Sequence, residues 1–172
     1  MFHDIGKIAV PDSVLRKIED LTDEEKKIKQ MHTVYGAQLF TNIYSGFEEM
    51  AQDIALTHHE NWDGSGYPGH VDLESGLPKP GYEKSDGIAF GKTGAEIPIY
   101  GRIVAVANTF DILTYKFAVD GEKPAIDIEK AIETILAGSG TQFDPEVIAE
   151  FASCLEIIKS IGNRYKNASK KQ

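Results

Sequence analysis

The chain has 172 residues, 41% of them hydrophobic, which suits one domain with its own core and is too short for two ordinary ones. Eighteen Lys and Arg against 27 Asp and Glu leave a formal charge of −9, which opposes the attraction to phosphate backbones that polynucleotide binding needs. Apolar runs of about 18 residues and a basic-then-apolar leader are both missing, so the expected setting is cytoplasmic, with no membrane partner. A small anionic ligand remains compatible with this charge, because bound divalent metal reverses the local potential. Cys154 is the only cysteine; an intramolecular disulfide is excluded, and its apolar helical neighbours predict a buried structural thiol.

Taken in chain order, the elements predict an all-α fold. Thr22 followed by Glu25 forms a capping box that opens a helix of roughly twenty residues, with Ile28, Met31, Tyr35 and Leu39 as its buried stripe and His32 beside it. A second helix runs from about Phe47 to Glu60, with Phe47, Met50, Ala51, Ile54, Ala55 and His58 on one face. Between Gly69 and Gly101 seven glycines and three prolines fall in 33 residues without helical period, which predicts a long irregular loop, either a lid or a mobile insertion. Helical spacing returns from about Tyr100 to Lys116, with Ile103, Val106, Ala107, Phe110 and Leu113 inward. Asp127 then caps a helix ending at Gly138, and Asp144-Pro145 opens another, with proline at the first helical position. Residues 1–165 read as the domain and 166–172, rich in lysine, as a solvated tail.

The histidines carry the chemistry. Four of the five stand with acids in three places: His3-Asp4, His32, and His58-His59 followed by Glu60 and Asp63. Imidazole and carboxylate from three segments suit iron, manganese or zinc, and five ligands spread so widely fit two metals sharing Asp4 as a bridge better than one tetrahedral zinc. Taken alone, His32 also reads as a satisfied half-buried side chain, whereas the rings of His58 and His59 cannot share one helix face and so favour metal. His70, in the loop, is expected in solvent. Gly6 permits a chain reversal that returns the Lys7 ammonium towards a metal-bound anion, although Lys7 equally reads as a surface lysine. Asp63-Gly64-Ser65-Gly66-Tyr67-Pro68 is a tight turn whatever else it does, and its backbone N–H groups are able to approach a phosphate.

In this order, His3-Asp4-Ile5-Gly6-Lys7, His32, and His58-His59-Glu60-Asn61-Trp62-Asp63-Gly64-Ser65-Gly66-Tyr67-Pro68 resemble the signature of the HD-GYP branch of HD-domain phosphohydrolases. The resemblance extends through Arg102-Ile103-Val104-Ala105-Val106-Ala107 and Phe143-Asp144-Pro145, and is weakest over the Gly69 to Gly101 loop. It implies a helical bundle holding two or three iron or manganese ions and hydrolysing cyclic di-GMP to linear pGpG or GMP, by in-line attack of a metal-bridging hydroxide. By the same resemblance His3, Asp4, His32, His58 and His59 would be metal ligands and Lys7 would contact the scissile phosphate. Asp63, Gly64, Gly66, Tyr67 and Pro68 would shape the substrate site, and Arg102 would bind ligand phosphate or brace the metal shell.

Two departures stand out. Asn108 occupies the position of an aspartate ligand, and a neutral amide binds a divalent metal more weakly than a carboxylate. Asp111, nearly one turn on, reads as its replacement or as a hydrogen-bond partner of a ligand. Only Met1 and Phe2 precede the HD pair, so the helices usual upstream in the family are expected to be lacking, leaving apolar surface for a homo-oligomer or signalling partner. The readings carried forward are a cyclic di-GMP phosphodiesterase, a catalytically impaired nucleotide- or protein-binding module, and a phosphohydrolase for another nucleotide.

Overall fold

A computed structural model describes residues 2–17, 21–40, 42, 44–114 and 126–168, with side chains as far as residue 164. Its described residues are helical, with only isolated β-bridges and no strand, as the all-α expectation requires. A 3-10 segment, Ile5–Ala9, is followed by α1 (Asp12–Leu15), α2 (Asp23–Gln30), α3 (His32–Gln38), α4 (Gly46–Thr57), α5 (Ile99–Thr114), α6 (Ile128–Ala137), α7 (Pro145–Ser153) and α8 (Leu155–Ala168). The 3-10 segment and α4 both pack on α3, and α5 lies between α4 on one side and α6 and α7 on the other. Residues 115–116, expected to end the α5 helix, and 169–172 of the expected tail lie outside the described residues.

Thr22 and Glu25 make the capping box: Thr22 Oγ1 accepts from the Glu25 N–H at 3.2 Å, and the Glu25 carboxylate accepts from the Thr22 N–H at 2.8 Å. The single long helix expected after it is interrupted at Met31, which divides it into α2 and α3. The buried face is therefore His32, Thr33, Val34, Gly36 and Ala37, while Ile28 and Leu39 are 38% and 60% exposed. The cause is backbone proximity. A Cβ at Gly6 would overlap the His32 carbonyl and the Gly36 amide, so the HD segment lies directly on α3, and small residues, not bulky ones, line the contact. Gly6 thus serves close approach, and not the reversal expected of it.

Two other predicted faces shift for a related reason. Phe47 is 78% exposed, and α4 buries Ala55 and Thr57 instead. On α5 the buried residues are Gly101, Val104, Ala105 and Val106, whereas Ile103 and Ala107 face out. Flanked on two sides, α5 has two buried stripes: Gly101 abuts Thr57 of α4, and Ala105 and Val106 join Ile135, Phe143 and Ile148 in the core. A search for one amphipathic face misassigns such a helix.

At the carboxy-terminal end Gly138 caps α6, and Asp144 accepts from the Glu146 N–H at 2.8 Å with Pro145 in the first turn of α7, as expected. Cys154 is not the buried thiol predicted: it stands at the C-cap between α7 and α8 and is exposed. The Gly69 to Gly101 segment is irregular up to a 3-10 turn at Gly94–Glu96 and the start of α5 at Ile99, but it is well tied. His70 N–H donates to Phe90 at 2.9 Å, Phe90 N–H to Tyr82 at 2.8 Å, and Val71 and Ala89 pack on Val34. His70, expected in solvent, stacks on Tyr82 with centroids 4.0 Å apart and retains 13% side-chain exposure.

Candidate metal centre

Three segments converge on one point. The 3-10 segment brings Asp4 at its N-cap, α3 opens with His32, and α4 ends with His58 at its C-cap and His59 just beyond. Ligand atoms of Asp4, His32, His58 and His59 all lie within 4.8 Å of one another, and His32 and His58 are buried.

The proton inventory shows what this group suits. His32 Nδ1 donates to the Lys29 carbonyl at 2.7 Å, and His58 Nδ1 to the carbonyls of Ile54 and Ala55 at 3.0 and 3.1 Å. A carbonyl only accepts, so both Nδ1 atoms carry the proton and both Nε2 atoms present lone pairs. Those Nε2 atoms lie 3.5 Å apart, and 3.3 Å (His32) and 3.6 Å (His58) from Asp4 Oδ1, a buried oxygen without a hydrogen-bond donor. Burial lowers the pKa of His58, and pushes that of His59 down to about 2, with the neighbouring rings adding to the effect. Burial would raise the Asp4 carboxyl, but the groups at its other oxygen, His3 and the Lys7 ammonium, act against this and it lies well below the usual carboxylate range. An anionic oxygen and neutral imidazoles facing inward fit a divalent cation.

The other candidates surround this group at different distances. His3 Nε2 is 3.4 Å from Asp4 Oδ2 and its ring meets His58 edge-on at 5.0 Å, yet it is not one of the four converging donors. Lys7 Nζ takes Asp4 Oδ2 at 2.8 Å. Asn108 lines the same cavity, of about 240 Å³, as Asp4, His32 and His59, whereas Asp111 is exposed. A neighbouring cavity of about 470 Å³ shares His59, Tyr67 and Asn108 with it and adds Asn61, Ser65 and Gln142.

The turn after His59 is built to place Tyr67. Asp63 Oδ1 accepts from the Ser65 N–H at 2.9 Å, Gly64 takes φ +81°, and a Cβ at Gly66 would overlap the His59 carbonyl and Asn61 amide. Tyr67 N–H donates to the His59 carbonyl at 3.1 Å, and its ring stacks on His59 with centroids 4.8 Å apart. Pro68 follows, half-buried, while the Asp63 side chain points to solvent. Arg102 is directed elsewhere: Nη1 donates to Asp144 Oδ2 at 2.6 Å, and the guanidinium lies 5.8 Å from the Trp62 ring.

Sequence reasoning missed Glu60 as a structural group. Its buried carboxylate accepts from Gly69 N–H at 2.6 Å and Lys92 N–H at 3.2 Å, tying the long loop to the end of α4. Burial raises its pKa. A buried acid beside a glycine-rich segment with unsatisfied N–H groups was the available signal. The partnership of Arg102 with Asp144 spans 42 positions and has no local signature.

Comparison with known proteins agrees with this geometry. The HD domain profile matches residues 1–75 and 82–147. Over 97% of its length the chain is 36% identical to a cyclic di-GMP phosphodiesterase of Vibrio cholerae, covering 30% of that protein. Over 96% of its length it is 37% identical to a cyclic di-GMP phosphodiesterase of Thermotoga maritima, covering 38% of it. A 3'3'-cGAMP-specific phosphodiesterase of Vibrio cholerae is 36% identical over 85% of the chain, which covers 23% of that relative. The chain thus spans between 23% and 38% of the length of these relatives. It is an HD domain, and with its ordered HD, paired-histidine and Gly-Tyr-Pro motifs it belongs to the HD-GYP family. Among the described residues no helix is long and apolar enough to cross a membrane.

Proposed function

We propose that the chain is a metal-dependent phosphodiesterase of cyclic dinucleotides, with cyclic di-GMP as substrate and the linear dinucleotide or GMP as product. The observation that carries this is the inward-facing set of Asp4 Oδ1 and the His32 and His58 Nε2 atoms, with His59 completing it. The names of the similar proteins support cyclic dinucleotides as the ligand class.

One divalent ion would be held by these four residues. A second position, at Asp4 Oδ2 and His3, is weakened because Lys7 already engages that oxygen and Asn108 offers an amide in place of a carboxylate. Iron or manganese suits the nitrogen and oxygen donors. A divalent ion there supplies Lewis acidity towards a phosphoryl oxygen and acidifies nearby water. The protein's own part is positional. Carbonyls of Lys29, Ile54 and Ala55 hold the rings in the tautomer that directs Nε2 inward. The Lys7 ammonium, beside Asp4 in the same cavity, offsets charge gathering on the phosphate in the transition state. Gly66-Tyr67-Pro68 forms the wall against which His59 and the substrate rest, with Asp63 and Gly64 setting the turn. Arg102 braces that turn through Trp62 and Asp144.

Asn108 and the engaged Asp4 Oδ2 favour a second reading, a cyclic-dinucleotide-binding module with impaired turnover. Metal analysis of protein purified without chelator, followed by cyclic di-GMP hydrolysis with manganese or ferrous iron, separates the two. The enzyme reading expects about one ion per chain and turnover that is abolished in Asp4→Ala. Metal-free, well-folded protein without turnover would refute it.

A further inference from the structure

The cavity beside the metal group, of about 470 Å³, has the size of a small-ligand site and joins the metal cavity through His59, Tyr67 and Asn108, which line both. Its lining also includes two carboxamides from distant parts of the chain, Asn61 and Gln142. The backbone brings them together: Trp62 N–H donates to the Gln142 carbonyl at 3.1 Å, and Asp63 N–H to the Thr141 carbonyl at 2.9 Å. The segment before α7 is thereby registered to the turn that carries Tyr67. Asn61 Nδ2 donates to Ser65 Oγ at 2.9 Å, which fixes that side chain and leaves Oδ1 as an acceptor. Gln142 is exposed, and its side-chain amide has no hydrogen-bond partner among the described residues, so it is open to a ligand. From α5 come the apolar side chains of Ile112 and Leu113, while the Tyr67 ring is already stacked on His59.

A nucleobase is apolar on its faces and polar along its edge, and proteins read it by hydrogen bonds to that edge between aromatic or apolar side chains. A phosphodiester held at the metal group brings its nucleoside with it, and the cavity that continues past His59 and Asn108 offers the base room. Guanine presents the N1–H and N2–H donors beside its O6 acceptor, which an amide oxygen and an amide N–H match. Adenine presents an acceptor, N1, where guanine has N1–H, and in the same pose it would turn that acceptor towards Asn61 Oδ1. We propose that this cavity is a nucleobase subsite in which Asn61 and Gln142 read the edge of a guanine and so favour it over adenine. The inference rests on the phosphodiesterase reading for its ligand class, but it concerns binding and is testable without turnover.

The test uses Asn61→Ala, Gln142→Met and the double variant. Equilibrium binding of cyclic di-GMP and cyclic di-AMP, each as a hydrolysis-resistant phosphorothioate with a fluorophore on one ribose, is measured on manganese-loaded protein. Metal content, Tm and hydrolysis of unmodified cyclic di-GMP are recorded beside it. The parent is expected to bind the guanine ligand about 10-fold more tightly than the adenine one. Loss of one neutral hydrogen bond weakens cyclic di-GMP binding about 5-fold in each single variant, whereas cyclic di-AMP binding changes by less than about twofold. Metal content stays at the parental level, and so does the Tm of Gln142→Met, because only the backbone of that residue is bonded to the rest of the fold. A parent that binds neither ligand or shows no preference for guanine, cyclic di-GMP binding unchanged in the double variant, or equal losses for the two ligands would each overturn the proposal. Guanine-selective binding that depends on these residues in a parent without turnover would sustain it while the enzyme reading fails. Turnover with a guanine preference that the variants leave intact would do the reverse.

Discussion

Gly6→Ala tests the link from sequence to site most directly. A Cβ at residue 6 meets three backbone atoms of α3: the His32 oxygen, the Gly36 nitrogen and, at 2.9 Å, the Gly36 Cα. None of them can yield by changing rotamer, so the HD segment must move off α3 by on the order of 1 Å to restore ordinary contact. Overpacking of this kind costs about 1–3 kcal/mol. At about 2 kcal/mol, a chain of this size loses about 4–8 °C in Tm. Asp4 is two residues away and moves with the segment. Its Oδ1 lies 3.3 Å from His32 Nε2, and a metal site tolerates misplacement of about 0.5 Å, so metal binding fails together with stability. Thermal melts and metal titration of the variant read both effects. Gly46→Ala is the control: nothing lies within 4 Å of its added Cβ at the start of α4, so stability rises by about 0.5 kcal/mol and metal binding is unchanged. A Gly6→Ala protein with parental Tm and metal content would refute the reasoning.

Asn108→Asp restores a carboxylate to the cavity that holds Asp4, and metal content is expected to rise from about one ion per chain towards two; an unchanged stoichiometry in manganese would count against the weakened second position. Arg102→Met leaves Asp144, 3% exposed, without its cationic partner, and is expected to cost about 3 kcal/mol in denaturant unfolding while metal content is retained; loss of metal with parental stability would point to a role at the ligand. Glu60→Ala removes the acceptor of the Gly69 and Lys92 N–H groups, and faster hydrogen exchange at those two amides is expected, with α6 and α7 unaffected.

The site was more legible than the packing that holds it. His58-His59 declared itself because two adjacent rings at a helix end have no common apolar face, and the four-donor group contains both. His32 alone was ambiguous; its Nδ1 bond to Lys29 and its burial are what favour the proposed ligand role, and neither is visible without coordinates. The capping box and the Asp144-Pro145 start were legible because each is a contact over two or three residues. The buried faces of α3 and α5 were not, since they depend on how closely neighbouring backbones approach, which glycines at positions 6 and 101 decide from a distance in sequence. Cys154 and His70 failed for the same reason: composition predicted their setting, but helix termination and a stacking tyrosine determine it.

Asp4 shows why those packing details bear on chemistry. Its two oxygens face different partners: Oδ1 the lone pairs of His32 and His58, Oδ2 the ammonium of Lys7 and the ring of His3. That division requires the HD segment to touch α3, which requires Gly6. A bridging carboxylate offers one oxygen to each of two ions, and here the second oxygen already has a cation covalently tethered three residues away. A second ion must therefore displace an ammonium at 2.8 Å with only His3 and the amide of Asn108 to assist it. On the phosphodiesterase reading, competition between Lys7 and a second ion for Asp4 Oδ2, and not a lack of donors for the first ion, would set the occupancy of the second position.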